Sequence, residues 1–125
     1  MAKIATLSVD EPVNIDMNRL GQIVSELGQA TATEVIGAAL EQLALALGRT
    51  STALERGELA RAVSHAEQLS RLAWQVGLVT LAAVAVDVGR CAECRDMGAL
   101  AATSARLKRI GNRSLLEIWD QPDPA

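Results

Sequence analysis

The 125-residue sequence predicts an all-α fold, an antiparallel up-down-up-down four-helix bundle with a short extra helix on its N-terminal side. Three observations predict it. Apolar residues recur at helical spacing along one short and four long segments. Gly and Asp punctuate these segments, and long helices joined by short loops must run as antiparallel neighbours. No segment sustains the apolar–polar alternation of a strand, and no hairpin turn pair occurs.

The length suits one domain. Half of the residues are hydrophobic (50%), so a packed core needs no metal or disulfide support. Phe and Tyr are absent, and the only aromatics are Trp74 and Trp119. Such a core must come from close-packed Ala, Leu, Val and Ile, of which Ala and Leu are the strongest helix formers.

Residues 1–15 read as an N-terminal arm. Its Ile4, Leu7 and Val9 alternate weakly before Pro12 and Asn14, so it is either disordered or laid across the bundle. The bundle occupies 16–119. A short helix starts after Asp16, a good N-cap, and carries Leu20, Ile23, Val24 and Leu27 to a stop at Gly28. Thr31 and Glu34 form a capping-box pattern for a long helix running to about Arg56. Its inward stripe is Val35, Ile36, Ala39, Leu40, Leu43, Leu47 and Leu54, and Gly57 ends it.

The next helix covers about 58–76, with Leu59, Ala62, Val63, Ala66, Leu69, Leu72, Ala73 and Val76 apolar, and Gly77 interrupts it. A further helix, about 78–95, turns Leu81, Ala82, Val84, Ala85, Val88 and Cys91 inward. Asp96 and Gly98 mark a turn. The last helix, about 99–119, buries Leu100, Ala101, Leu107, Ile110, Leu115 and Ile118. The Pro-containing tail, 120–125, cannot continue it.

Charge and composition exclude several classes. The net charge of −3 is mixed along the chain, which leaves no nucleic-acid footprint and no polybasic membrane anchor. The longest apolar stretch, Gly77 to Val86, is far shorter than the roughly 20 residues of a membrane span. No signal-peptide h-region opens the chain, and the expected location is cytoplasmic. Cys91 and Cys94 stand as a lone C-x-x-C without a second ligand pair, so they read as ordinary helix residues, Cys91 inward and Cys94 near the edge. No phosphate loop, nucleophile elbow or zinc cluster occurs, so no metal, cofactor or enzymatic activity is expected. Arg106, Lys108, Arg109 and Arg113 make the last helix basic, as a solvated face or an anion or partner site.

The segment Ala66-Glu67-Gln68-Leu69-Ser70-Arg71-Leu72-Ala73-Trp74-Gln75-Val76-Gly77, with Leu81 and Ala82 beyond it, resembles the signature of histidine phosphotransfer (Hpt) domains. There Ala-His-x-Leu-Lys-Gly-Ser is followed by Gly ten residues after the His. Ala66, Leu69, Val76, Gly77, Leu81 and Ala82 fall on matching positions, and Leu54-Glu55-Arg56-Gly57-Glu58-Leu59 resembles the turn leading into the family's active helix. The likeness covers about 16–119. It implies a phosphorelay protein of two-component signalling whose partner is a response-regulator receiver domain or a histidine kinase module.

The departures fall on the chemistry. Glu67 stands at the phosphoacceptor position, Ser70 at the Lys position and Arg71 at the following Gly position. In the family a neutral imidazole nitrogen attacks the receiver's aspartyl phosphate. A carboxylate there repels the incoming phosphoryl group, and an acyl phosphate is labile. The resemblance therefore implies partner binding without phosphate acceptance. His65, the only histidine, is the alternative phosphoacceptor, but two residues along a helix it points about 200° away from Glu67.

Glu67, Ser70, Arg71, Trp74 and Leu78 follow the i, i+3, i+4, i+7, i+11 rule, opposite the Ala66/Leu69/Ala73/Val76 stripe. Two readings of this face stand open. It is either a docking patch marked by an exposed Trp, or a solvated Glu–Arg pair with Trp74 covered by the first helix or the arm. A third class of function is a non-signalling homodimer joined through Trp74 or Trp119.

Overall fold

Asp16 starts the helical part of the chain. In the computed structural model, which describes residues 11–119, its carboxylate accepts the N–H groups of Asn18 (3.0 Å) and Arg19 (3.2 Å) and caps α1 (Met17–Leu27). The following helices are α2 (Gln29–Glu55), α3 (Leu59–Gln75), α4 (Val79–Glu93) and α5 (Met97–Trp119). The described residues are thus all-α, with one isolated bridge between Ile15 and Leu78. Helix α3 packs against α2 and α4, α4 against α5, and α5 returns to α2, while α1 leans on α2.

Single residues do the turning. Gly28, at φ +83°, donates its N–H to Val24 O and accepts from Ala32 N, so it both closes α1 and opens α2. The capping box expected at Thr31 is therefore not formed. Thr31 and Glu34 are exposed in the first turns of a helix that begins at Gln29. Asp96 caps α5 by accepting the Ala99 N–H (3.2 Å), which starts that helix before the expected Ala99.

The core is aliphatic, as the absence of Phe and Tyr requires. Ala46, Ala53, Ala62, Ala66, Ala73, Ala82, Ala85 and Ala92 are buried among Leu40, Leu43, Leu69, Leu81, Val84, Val88, Leu107 and Ile110. Small side chains let the helix axes approach and give dense packing without rings. Thr50 is buried as well and satisfies its hydroxyl on Ala46 O (2.7 Å). Two residues assigned inward lie outside: Val35 is exposed in α2 and Ala101 in α5. Val35 sits about 60° around the helix from the Ala32/Ala39 line, beyond the reach of any neighbouring helix.

Of the arm expected over 1–15, residues 1–10 lie outside the described residues, as does the tail 120–125. Residues 11–16 lie across the bundle. Asn14 N donates to Thr80 Oγ1 (2.8 Å) and Asp16 N to Gly77 O (2.7 Å), while Arg19 Nε donates to Gln75 O (3.0 Å). Val13 and Ile15 pack on the core. At its start Arg106 Nε donates to both carboxylate oxygens of Glu11 (3.0 and 2.9 Å), and Arg113 donates to the Glu11 carbonyl (2.9 Å). Much of the basic character of α5 thus serves to clasp the arm. Glu11→Ala is expected to cost about 1–2 kcal/mol, since a charge-assisted hydrogen bond, one N–H shared between two carboxylate oxygens, is lost from a half-buried site. Urea denaturation checks this, and a change within ~0.5 kcal/mol would mean that the clasp carries no stability.

Helix α2 is long and apolar enough, by length and composition alone, to cross a membrane. That property is hidden in the sequence because scattered charges break every uninterrupted apolar run.

Candidate functional site

Helix α3 presents its outward side through Glu67, Arg71 and Trp74, which one helical period brings together. Arg71 Nη1 donates to Glu67 Oε1 at 3.0 Å, the i, i+4 pair expected from the spacing. Both side chains are well exposed, so the pair contributes only about 0.2–0.5 kcal/mol, and its effect is to hold both groups in one orientation. Trp74 is 55% exposed. Neither α1 nor the described part of the arm covers it, which disposes of the covered reading for these residues.

Two members of the expected face lie elsewhere. Ser70 is 7% exposed and Leu78 is 1% exposed. Ser70 is three residues from Glu67, which places it about 60° around the helix toward the Ala66/Ala73 stripe, where α4 covers it. Leu78 is not on α3 at all. The helix ends at Gln75, the chain reverses through Gly77 at φ +80°, and Leu78 enters the core as the cap residue of α4. Extending the i+11 rule across a glycine turn produced the wrong side.

Beside Glu67 runs a groove of about 280 Å³ between α3 and α4. Ser70 lines it from α3, and Val86, Gly89 and Arg90 line it from α4. The close approach is made by Gly89, where an added Cβ would stand 3.7 Å from the Ala66 Cβ. The α4 residues went unassigned in the sequence because their role depends on which helix α3 meets. Their one legible signal is the small Gly89 opposite Ala66. Arg90 and Glu93 both line this groove from α4, so it carries charges of both signs beside the Glu67–Arg71 pair.

His65 is half-buried and borders a different groove, between α2 and α3, with Leu45, Gly48, Arg49 and Arg61. It does not meet Glu67, Arg71 or Trp74, in keeping with its angular position on the helix. Cys91 is partly buried and Cys94 exposed at the end of α4. Among the described residues no group of three or more His, Cys, Asp or Glu side chains gathers to hold a metal ion. The side chain of Trp119 lies outside the described residues. A larger groove of about 420 Å³, between α2 and α5, is bordered by Leu54, Leu100 and Ala101, with Glu55 and Lys108 paired at 3.2 Å on its rim. It was not foreseen, because it is formed where two helices distant in sequence diverge.

Comparison with family models, with curated proteins and with solved structures gives no match.

Proposed function

We propose that this chain is an Hpt-like signalling protein of a two-component phosphorelay. It binds a response-regulator receiver domain or a histidine kinase module through α3 and does not accept phosphate. The carrying observation is Glu67 at the phosphoacceptor position of an Hpt-like segment, exposed, paired with Arg71 and flanked by an exposed Trp74. The pairing of α2 with α3, α3 with α4, α4 with α5 and α5 with α2 supports an antiparallel up-down-up-down bundle of the Hpt kind. Gly77 at positive φ supports the same reading, since the family's pattern has glycine there.

The chemistry follows from the side chains. The Glu67 carboxylate has no nitrogen to phosphorylate, and Arg71 already occupies one of its oxygens. Trp74 offers a large apolar surface beside charged rim groups, the make-up of a protein-docking centre. The docking residues are Glu67, Arg71 and Trp74, with Val86 and Arg90 of α4 alongside. Ser70 serves as the groove's wall. The protein acts in the cytoplasm, as a binding module and not an enzyme.

The test is incubation of the purified chain with a panel of phosphorylated receiver domains, recording binding and phosphoryl transfer together. Binding without transfer is expected. Trp74→Ala should weaken it by roughly 30-fold or more, the scale of an interfacial aromatic anchor, and Arg71→Ala by a smaller factor. Transfer abolished by His65→Gln would replace this reading with an active relay protein. The absence of both binding and transfer would refute the signalling role.

A further inference from the structure

Helix α2 carries a second, independent surface. An 18-residue stretch of it is apolar enough for a membrane span, yet only 28% of that stretch is buried. Among the remainder runs an outward stripe. Thr31, Val35, Ala38, Gln42, Leu45, Arg49 and Thr52 follow one another in alternating steps of four and three residues, and all are exposed. That is the spacing of a coiled-coil seam. Leu45 is 58% and Val35 46% exposed, both unusual for a residue of that type on a helix with no partner.

We infer that a second copy of this chain covers the stripe, forming an antiparallel two-fold dimer through α2. The pattern of size and charge selects this occupant. A two-fold interface must be self-complementary, so each group needs its counterpart on the same surface. When two copies of α2 are set antiparallel, with the axis between Glu41 and Gln42, Leu45 lies against Ala38 of the second copy. Val35 then lies against Gly48, and Glu34 falls beside Arg49. Leu45 thus meets a small side chain, and Glu34 meets a charge of opposite sign. A parallel pair would set Glu34 against Glu34 and Arg49 against Arg49. Gly48, Leu45 and Arg49 already border an open groove of about 400 Å³ beside α3, which receives the Val35 side chain of the second copy. Glu41 stands off the seam, in a groove with Leu115 of α5. A lipid surface is the poorer occupant, because Glu34 and Arg49 along the same side would have to enter hydrocarbon.

The full-length chain is examined by analytical ultracentrifugation from micromolar to millimolar concentration. A monomer–dimer equilibrium is expected. Leu45→Glu, a change at an exposed position that leaves the helix folded by circular dichroism, should make the chain monomeric throughout. Glu34→Arg and Arg49→Glu should each weaken the dimer by about tenfold or more, since two pairs per dimer change sign. The double exchange should restore it to within about threefold, and such recovery is specific to the antiparallel pairing. A wild-type monomer at every concentration overturns the inference, as does a dimer indifferent to Leu45→Glu or a double exchange that does not recover. Wild-type protein that stays monomeric but floats with phosphatidylcholine–phosphatidylglycerol vesicles, and loses this with Leu45→Glu, assigns the stripe to a membrane surface instead.

Discussion

Gly77→Ala is expected to lower the unfolding free energy by about 2–4 kcal/mol and the melting temperature by roughly 6–15 °C. Two costs add. The residue sits at φ +80°, where an L side chain is strained by about 1–2 kcal/mol. The second is steric. A Cβ built at Gly77 would stand 2.8 Å from the Asp16 carbonyl oxygen and 3.3 Å from the Asp16 Cβ. Asp16 cannot retreat freely, because its N–H is bonded to Gly77 O at 2.7 Å and its carboxylate caps α1. Relief of the contact therefore loosens the arm and the start of α1 together. Gly57→Ala is the control. Its φ is +69° in a helix-ending turn with the same hydrogen bonds, but nothing lies within 4 Å of the added Cβ, so only the conformational cost of about 1–2 kcal/mol applies. Thermal and urea denaturation of both variants separates strain from contact, and equal losses would show that the Asp16 approach is not tight.

Leu69→Ala is expected to cost about 3–4 kcal/mol, a large share of the 5–15 kcal/mol that holds an ordinary domain together. Leu69 is fully buried on α3, in the cluster that includes Ala66, Ala73, Leu81 and Val84. Its neighbours include many alanines, which have no rotamer freedom with which to fill the vacated volume. The cavity cost should therefore stay near the upper part of the usual range. Leu45→Ala provides the comparison. At 58% exposure it should change the stability of the monomer by no more than ~0.5 kcal/mol. Chemical denaturation measured at low concentration keeps any self-association out of the result. Similar losses for the two leucines would contradict the placement of α3 at the centre of the core.

The two variants also bear on the proposed docking face. Leu69 and Gly77 lie in the same stretch of chain as that face, where their roles are packing and chain reversal. Glu67, Arg71 and Trp74 occupy the outward positions of the same helix, where folding makes little demand. Substitutions there should leave stability nearly unchanged and act on partner binding alone.

The sequence by itself determined the helical class, the ends of most helices and the aliphatic nature of the core. Those depend on local causes: period-3.6 patterning, Asp16 as a cap, Asp96 and glycines at the turns, and no Phe or Tyr to place. The Glu67–Arg71 pair was legible for the same reason, since both residues lie on one turn of one helix. Only the tertiary structure decided what depends on which elements meet. Ser70 is buried because α4 lies over that side of α3, and Leu78 because Gly77 reverses the chain before it. Val35 is exposed because no helix covers that side of α2. Arg106 and Arg113 face a carboxylate and a carbonyl of Glu11, far away along the chain, and no periodicity along α5 encodes such a partner. Hydrophobic spacing sets which side of a helix turns inward, but the width of that side depends on the number and placement of its neighbours.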